Sequence, residues 1–139
     1  ILIEDKIRMY DTDTARILFF GNIYRFIDNA FETFLEKENY NFDDLFDQNK
    51  YTFVIIHSES SYKSPLRVGD TISIEAYVSH IGKTSFAFEY IIKNKQTQKI
   101  TNIAKTTHVT LNTHTKEKIT IPKELKSKLK KYQKNELDE

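Results

Sequence analysis

The sequence predicts an α+β fold, with a curled antiparallel sheet wrapped around one long helix. Three observations carry this. Ile23, Phe26, Ile27, Ala30, Phe31, Phe34 and Leu35 recur at helical spacing, one apolar stripe along a single helix. Two later segments alternate instead with period two, Ile72-Ile74-Ala76-Val78 and Phe86-Phe88-Tyr90-Ile92, as half-buried strands do. The order is strand, long helix, four strands, short helix, and helices set apart from a run of strands belong to α+β rather than α/β folds. A one-sided helix needs a sheet face to cover it, and a curled sheet buries both apolar surfaces.

Taken in order, residues 1–10 read as a strand with Ile1, Ile3, Ile7 and Met9 on one face. The stretch from Asp11 begins as a loop. Gly21 and Asn22 suit the start of the long helix, since Gly permits the turn and Asn caps free amides. Phe42, Leu45 and Phe46 are spaced for one helical turn within polar residues 38–50. A strand over 51–60 contains Phe53-Val54-Ile55-Ile56, and Pro65 and Gly69-Asp70 punctuate the link to the strand at 71–80. Ile81-Gly82-Lys83-Thr84 reads as a hairpin turn into the strand at 85–93. A last strand lies near 100–112. Residues 122–138 read as a Lys-rich helix with Pro122 in its first turn and Leu125, Leu129 and Tyr132 on one side.

The chain of 139 residues is the size of one domain, and 1–139 is read as one. Its 21 Lys and Arg against 20 Asp and Glu leave no charge excess to attract nucleic acid or an anionic membrane. With no Cys, disulfides, zinc-thiolate sites and cysteine nucleophiles are excluded. No apolar run approaches the length of a membrane span, and Ile1-Leu2-Ile3-Glu4-Asp5 lacks the basic-then-apolar pattern of a signal peptide, so a cytoplasmic location is expected. His57, His80, His108 and His114 do not pair at metal-ligand spacing on a helix, and no Gly-x-Ser-x-Gly turn is present.

One string narrows the reading further. Tyr10-Asp11-Thr12-Asp13-Thr14-Ala15, then Ile17-Leu18-Phe19, Asn22 and Arg25-Phe26, resembles the hotdog-fold acyl-CoA thioesterases, in particular the 4-hydroxybenzoyl-CoA thioesterase-like family. Tyr62-Lys63-Ser64-Pro65-Leu66-Arg67-Val68-Gly69-Asp70, Gly82-Lys83-Thr84-Ser85-Phe86 and Ile121-Pro122-Lys123-Glu124-Leu125 resemble the family in the same order. The resemblance implies hydrolysis of an acyl thioester, from acyl-CoA or an acyl-carrier protein, with no metal or redox cofactor. It implies a homodimer or dimer of dimers whose sites are built from two chains. It makes Asp13 the catalytic base or nucleophile and the Phe20 backbone amide the group that polarises the carbonyl. Read by themselves, Asp11 and Asp13 are turn residues that make Asx turns or cap amides.

The chain departs from the family pattern at three positions. Phe20 stands where His or Tyr is frequent, Arg16 where Gly is common, and Ile23 at the usual Tyr position, with Tyr24 following it. Phe19, Phe20, Ile23 and Tyr24 are candidates to line the acyl pocket. Thr14 is a candidate partner of the Asp13 carboxylate, against its reading as an ordinary loop hydroxyl. CoA carries phosphates, so Lys63, Arg67 and Lys83, the last beside Thr84 and Ser85, are candidates for the site mouth. A solvated surface explains each of them more simply, as it does the Lys-rich tail. The alternative to an enzyme is a non-catalytic acyl- or partner-binding module on the same fold, since fold does not fix function.

Overall fold

A computed structural model describes residues 1–41 and 51–134. Five strands form one sheet: β1 (Leu2–Lys6), β2 (Tyr51–Tyr62), β3 (Thr71–Ile81), β4 (Ser85–Asn94) and β5 (Ile100–Asn112). Two helices accompany it, α1 (Ile23–Lys37) and α2 (Lys123–Lys130). The sheet order is β1-β3-β4-β5-β2, which leaves β1 and β2 at the edges. β1 runs antiparallel to β3, with Ile3 opposite Ile74 and Lys6 opposite Thr71. This is the predicted α+β class.

The helical stripe is buried as its spacing requires. Ile23, Phe26, Ile27, Ala30, Phe34 and Leu35 are all buried, and Phe31 is half-buried. α1 stops where Asn39 takes a left-handed conformation (φ 63°), which lets the Tyr40 amide close back on the Leu35 carbonyl at 2.8 Å. The period-two residues of β3 and β4 are buried to the last one. The turn between these strands favours Gly82, because a Cβ there would lie a tight 3.2 Å from both the Ser85 carbonyl and His80 Nε2.

Three expectations need correction. The first strand ends at Lys6; the chain then makes a 3-10 turn at Met9–Asp11 and leaves Met9 72% exposed instead of on the buried face. Asn22 does not cap α1; its side chain donates to the Asp11 carbonyl at 2.8 Å. The C-terminal helix ends at Lys130, because residues 132–134 add to β3 instead: the Val78 amide donates to the Tyr132 carbonyl, and Val78 pairs in parallel with Gln133. The expected turn at Phe42, Leu45 and Phe46, and the helix beyond 134, lie outside the described residues.

The described chain clusters into two compact units, through both of which the long elements run. Among the described residues the first holds 1–33, 60–76 and 90–104; the second holds 34–41, 51–59, 77–89 and 105–134. The first has a core of Ile7, Ile23, Phe26, Leu66, Ile72, Ile74, Tyr90 and Ile92. The second is an aromatic cluster. Phe34 meets Phe88 and Tyr132 edge-on, and Phe86 stacks flat on His108 at 5.0 Å. In that unit Glu38 is buried and takes hydrogen bonds from Lys131 Nζ and the Tyr132 hydroxyl, both at 2.8 Å. Burial pushes the Glu38 carboxyl up, but these two donors outweigh it and hold it below its ordinary value.

Candidate active site

The loop from Asp11 to Asn22 is built on a tight hairpin. Thr12 and Leu18 pair antiparallel, the Asp13 amide donates to the Ile17 carbonyl at 3.0 Å, and the Arg16 amide returns to the Asp13 carbonyl at 2.9 Å. Such a turn closes with one residue in the left-handed region, a place suited to Gly. Here Arg16 occupies it at φ 61°. A Gly here would take that conformation without the steric cost that Arg16 bears.

Asp13 is exposed at the hairpin tip, and its Oδ1 accepts the Ala15 amide at 2.9 Å. The Asx turn read from the residues alone is therefore real. It engages one carboxylate oxygen; the other has no hydrogen-bond partner among the described residues. Asp13 and Thr14 line a concavity of about 240 Å³ together with Met9, Thr12 and Arg16. Thr12 behaves as an ordinary loop hydroxyl and donates to the Met9 carbonyl at 2.8 Å.

Asp11 is the fixed point beneath this loop, and only 2% of it is exposed. Arg25 of α1 grips it with two bonds, Nε to Oδ1 at 3.0 Å and Nη2 to Oδ2 at 2.8 Å, and the Arg8 amide adds a third at 2.8 Å. The Asp11 hydrogen bond chiefly raises the Arg25 pKa, against the effect of burial. The Asp11 carbonyl accepts both the Phe19 amide at 3.0 Å and the Asn22 side chain at 2.8 Å. One buried residue thereby ties the acidic loop to the chain entering α1. Sequence reading left Asp11 as structural and did not pair it with Arg25; the signal was an Arg placed off the apolar stripe, fourteen positions on.

Phe20 begins a 3-10 turn, Phe20–Asn22, that leads into α1. Its ring is 66% exposed beside Phe19, with ring centroids 4.7 Å apart. Its N–H has no acceptor among the described residues. Its carbonyl accepts the Tyr62 hydroxyl. A free N–H at a helix start is a preorganised donor for developing negative charge.

The remaining candidates are dispersed. Tyr24 is half-buried in the first turn of α1. Ile23 is fully buried with the core. Lys63 lies on the rim of a cavity walled by Leu18 and Leu66, and Arg67 is exposed and paired with Ile17. Lys83 and Ser85 belong to the second unit: Lys83 is exposed in the β3–β4 turn, where its carbonyl accepts the Ile121 amide at 2.8 Å, and Ser85 opens β4. Among the described residues no cluster of three His, Asp or Glu is placed to hold a metal, and no helix is long and apolar enough to cross a membrane.

Comparison with known proteins bears directly on this geometry. A family model for the Thioesterase-like superfamily matches residues 7–129. A 1,4-dihydroxy-2-naphthoyl-CoA hydrolase from Prochlorococcus marinus (strain NATL1A) is 31% identical over 132 residues, covering 90% of this chain and 87% of the relative. The structure of a 1,4-dihydroxy-2-naphthoyl-CoA thioesterase from Synechocystis superposes with a TM-score of 0.85 at 18% identity, covering 92% of this chain and 93% of that one. A Staphylococcus aureus protein solved in complex with CoA gives a TM-score of 0.85 at 12% identity, over 96% of this chain and 85% of that one. These two structures bear on the fold, and the fold is the expected hotdog. With a matched family model spanning the acidic hairpin, the helix start and every strand but the first, the chain is a thioester hydrolase that belongs to the Thioesterase-like superfamily.

Proposed function

We propose that this protein hydrolyses acyl-CoA thioesters, with the Phe20 N–H polarising the thioester carbonyl and the Asp13 carboxylate acting on the carbonyl carbon. The observation that carries the reading is the uncommitted Phe20 N–H in the 3-10 turn that leads into α1, in a segment tied through Asp11 to the loop that bears Asp13. As nucleophile, the free Asp13 oxygen adds to the acyl carbon and the CoA thiolate leaves, taking a proton from water. Water then cleaves the mixed anhydride and restores the carboxylate. As base, the same oxygen takes the proton of an attacking water. In either route negative charge grows on the carbonyl oxygen, where the Phe20 amide and the helix end stabilise it. The likeness to the Prochlorococcus marinus CoA hydrolase supports CoA as the thiol carrier, with an acyl-carrier protein as the other carrier to test.

The working unit is a homodimer or a dimer of dimers. β2 supports this. It is a twelve-residue edge strand with Val54, Ile55 and Ile56 all exposed, and a long apolar edge is a template for a second copy. The test is a panel of benzoyl, short, medium and long acyl thioesters, on CoA and on carrier protein, with wild type and Asp13→Asn. We expect turnover of at least one member and a loss of about a hundredfold or more in the variant, about 2.7 kcal/mol of barrier. Equal rates in the two proteins remove Asp13 from the reaction.

A further inference from the structure

The proposed function asks for one fixed direction at residue 20, and the local chain secures it poorly. The Phe20 N–H shares a peptide plane with the Phe19 carbonyl. That carbonyl accepts the Asn22 amide at 2.8 Å, in the 3-10 turn Phe20–Asn22. A short 3-10 turn has poorer hydrogen-bond geometry than an α-helix, and helix ends fray. Burial adds little, because Phe19 and Phe20 are both exposed. The Asp11 carbonyl steadies the turn at its entry, through the Phe19 amide, and at its exit, through the Asn22 side chain. Phe20 lies between these two holds.

A side chain distant in sequence reaches that middle position. The Tyr62 hydroxyl donates to the Phe20 carbonyl. Tyr62 is the last residue of β2, and β5 fixes its place: the Lys63 and Ser64 amides that follow both donate to the Thr101 carbonyl, at 2.8 and 3.3 Å. All of these residues belong to the first unit. Tyr62 is 47% exposed, so its hydroxyl is not there to complete a core. Partial burial raises that hydroxyl above its ordinary value of 10, so it keeps its proton and donates across the neutral range. The two peptide planes that meet at the Phe20 Cα are then both tethered, one to Asn22 and the other to Tyr62. Only two soft dihedrals separate those planes, so fixing both fixes the N–H.

We propose that Tyr62 is a positioning residue, whose hydroxyl aims the Phe20 N–H by anchoring the carbonyl of the same residue to the sheet. The proposal rests on the thioesterase reading for what the N–H does, and on this hydrogen bond for where it points. A donor held in place before the reaction needs no reorganisation during it. Loosening that donor weakens the transition state and leaves ground-state binding almost as it was.

The test is Tyr62→Phe, which deletes the hydroxyl and keeps the ring. In a thermal melt we expect a shift of at most about 4 °C. By 15N relaxation of the free protein, order parameters of the Phe20 and Gly21 amides fall from about 0.85 toward about 0.6, while those along α1 stay. On the acyl-CoA of the panel that wild type turns over fastest, kcat falls about tenfold and KM stays within about twofold. A larger drop in melting temperature makes Tyr62 part of the fold and overturns the proposal. Unchanged order at Phe20 and Gly21 also overturns it, and with a reduced kcat puts the Tyr62 hydroxyl on the substrate itself. An unchanged kcat overturns it as well. Relaxation needs no turnover, so it judges Tyr62 even when no thioester is cleaved and the thioesterase reading falls. Asp13→Asn as fast as wild type, beside a slow Tyr62→Phe, sinks the role of Asp13 and leaves that of Tyr62 standing.

Discussion

The two units put their polar groups to opposite uses. In the second, the buried His108 and Glu38 are absorbed into packing, and Thr113 Oγ1 is the buried side-chain atom left without a partner among the described residues. His108 lies flat on Phe86 with Thr106 Oγ1 at 2.9 Å from its Nε2, and Glu38 is met by Lys131 and Tyr132. In the first, the buried Asp11 is equally saturated, while the N–H of the exposed Phe20, one oxygen of the exposed Asp13 and the buried Asn102 Oδ1 and Ser60 Oγ have no protein partner among the described residues. A buried group without a partner costs stability, whereas the exposed ones bond water, and on the proposed function the latter are what a substrate completes.

The sharpest way to break the contrast is at Asp11. Asp11→Ala removes the carboxylate that Arg25 and the Arg8 amide hold, and leaves Arg25 unpaired, while the backbone carbonyl of residue 11 still takes the Phe19 amide and the Asn22 side chain. We expect a loss of roughly 2–4 kcal/mol, toward the lower value because the Arg25 guanidinium is partly solvated, measured by urea unfolding, with activity falling alongside. Loss of activity without loss of stability would mean that Asp11 acts on substrate instead.

A smaller effect tests the second unit. Burial pushes the His108 pKa down from 6.5 to about 4. The unfolded chain then binds the extra proton first, so stability is complete above pH 6.5 and falls as pH drops toward 4. The full loss approaches roughly 3 kcal/mol. His108→Phe should flatten this part of the stability–pH curve, followed by thermal melts across the range; an unchanged slope would place the titration elsewhere.

The smallest effect is a gain. Arg16 at φ 61° bears the steric cost of the left-handed region, so Arg16→Gly relieves about 1 kcal/mol of strain, offset in part by the freer unfolded chain. A modest rise in the melting temperature checks this, and a fall would show that the Arg16 side chain contributes contacts worth more than the strain.

Periodicity made the scaffold readable. The stripe of α1 and the alternation of β3 and β4 were visible because each buries one face against a regular partner. The misreadings occur where a hydrogen bond overrides the period. Met9 follows the strand alternation, yet the chain turns there because Asp11 accepts the Arg8 amide. Asn22 looks like a cap, but the Asp11 carbonyl holds its amide. Tyr132 continues the helical spacing of Leu125 and Leu129, and is drawn out of the helix by Glu38 and Val78. Asp13 stood out through the family string, not through any local physics of its own. Asn102 gave no signal, because a polar residue in a strand reads as solvent-facing until its neighbours on other strands are known.

The edge strand β2 carries its own implication for handling the protein. Three adjoining exposed apolar side chains on a strand with one open edge form a surface to which a second copy would adhere, so concentration is a variable to control in the experiment. A charged substitution at Ile55 would keep a solitary chain from clinging to others, and would turn a question about catalysis into one about company.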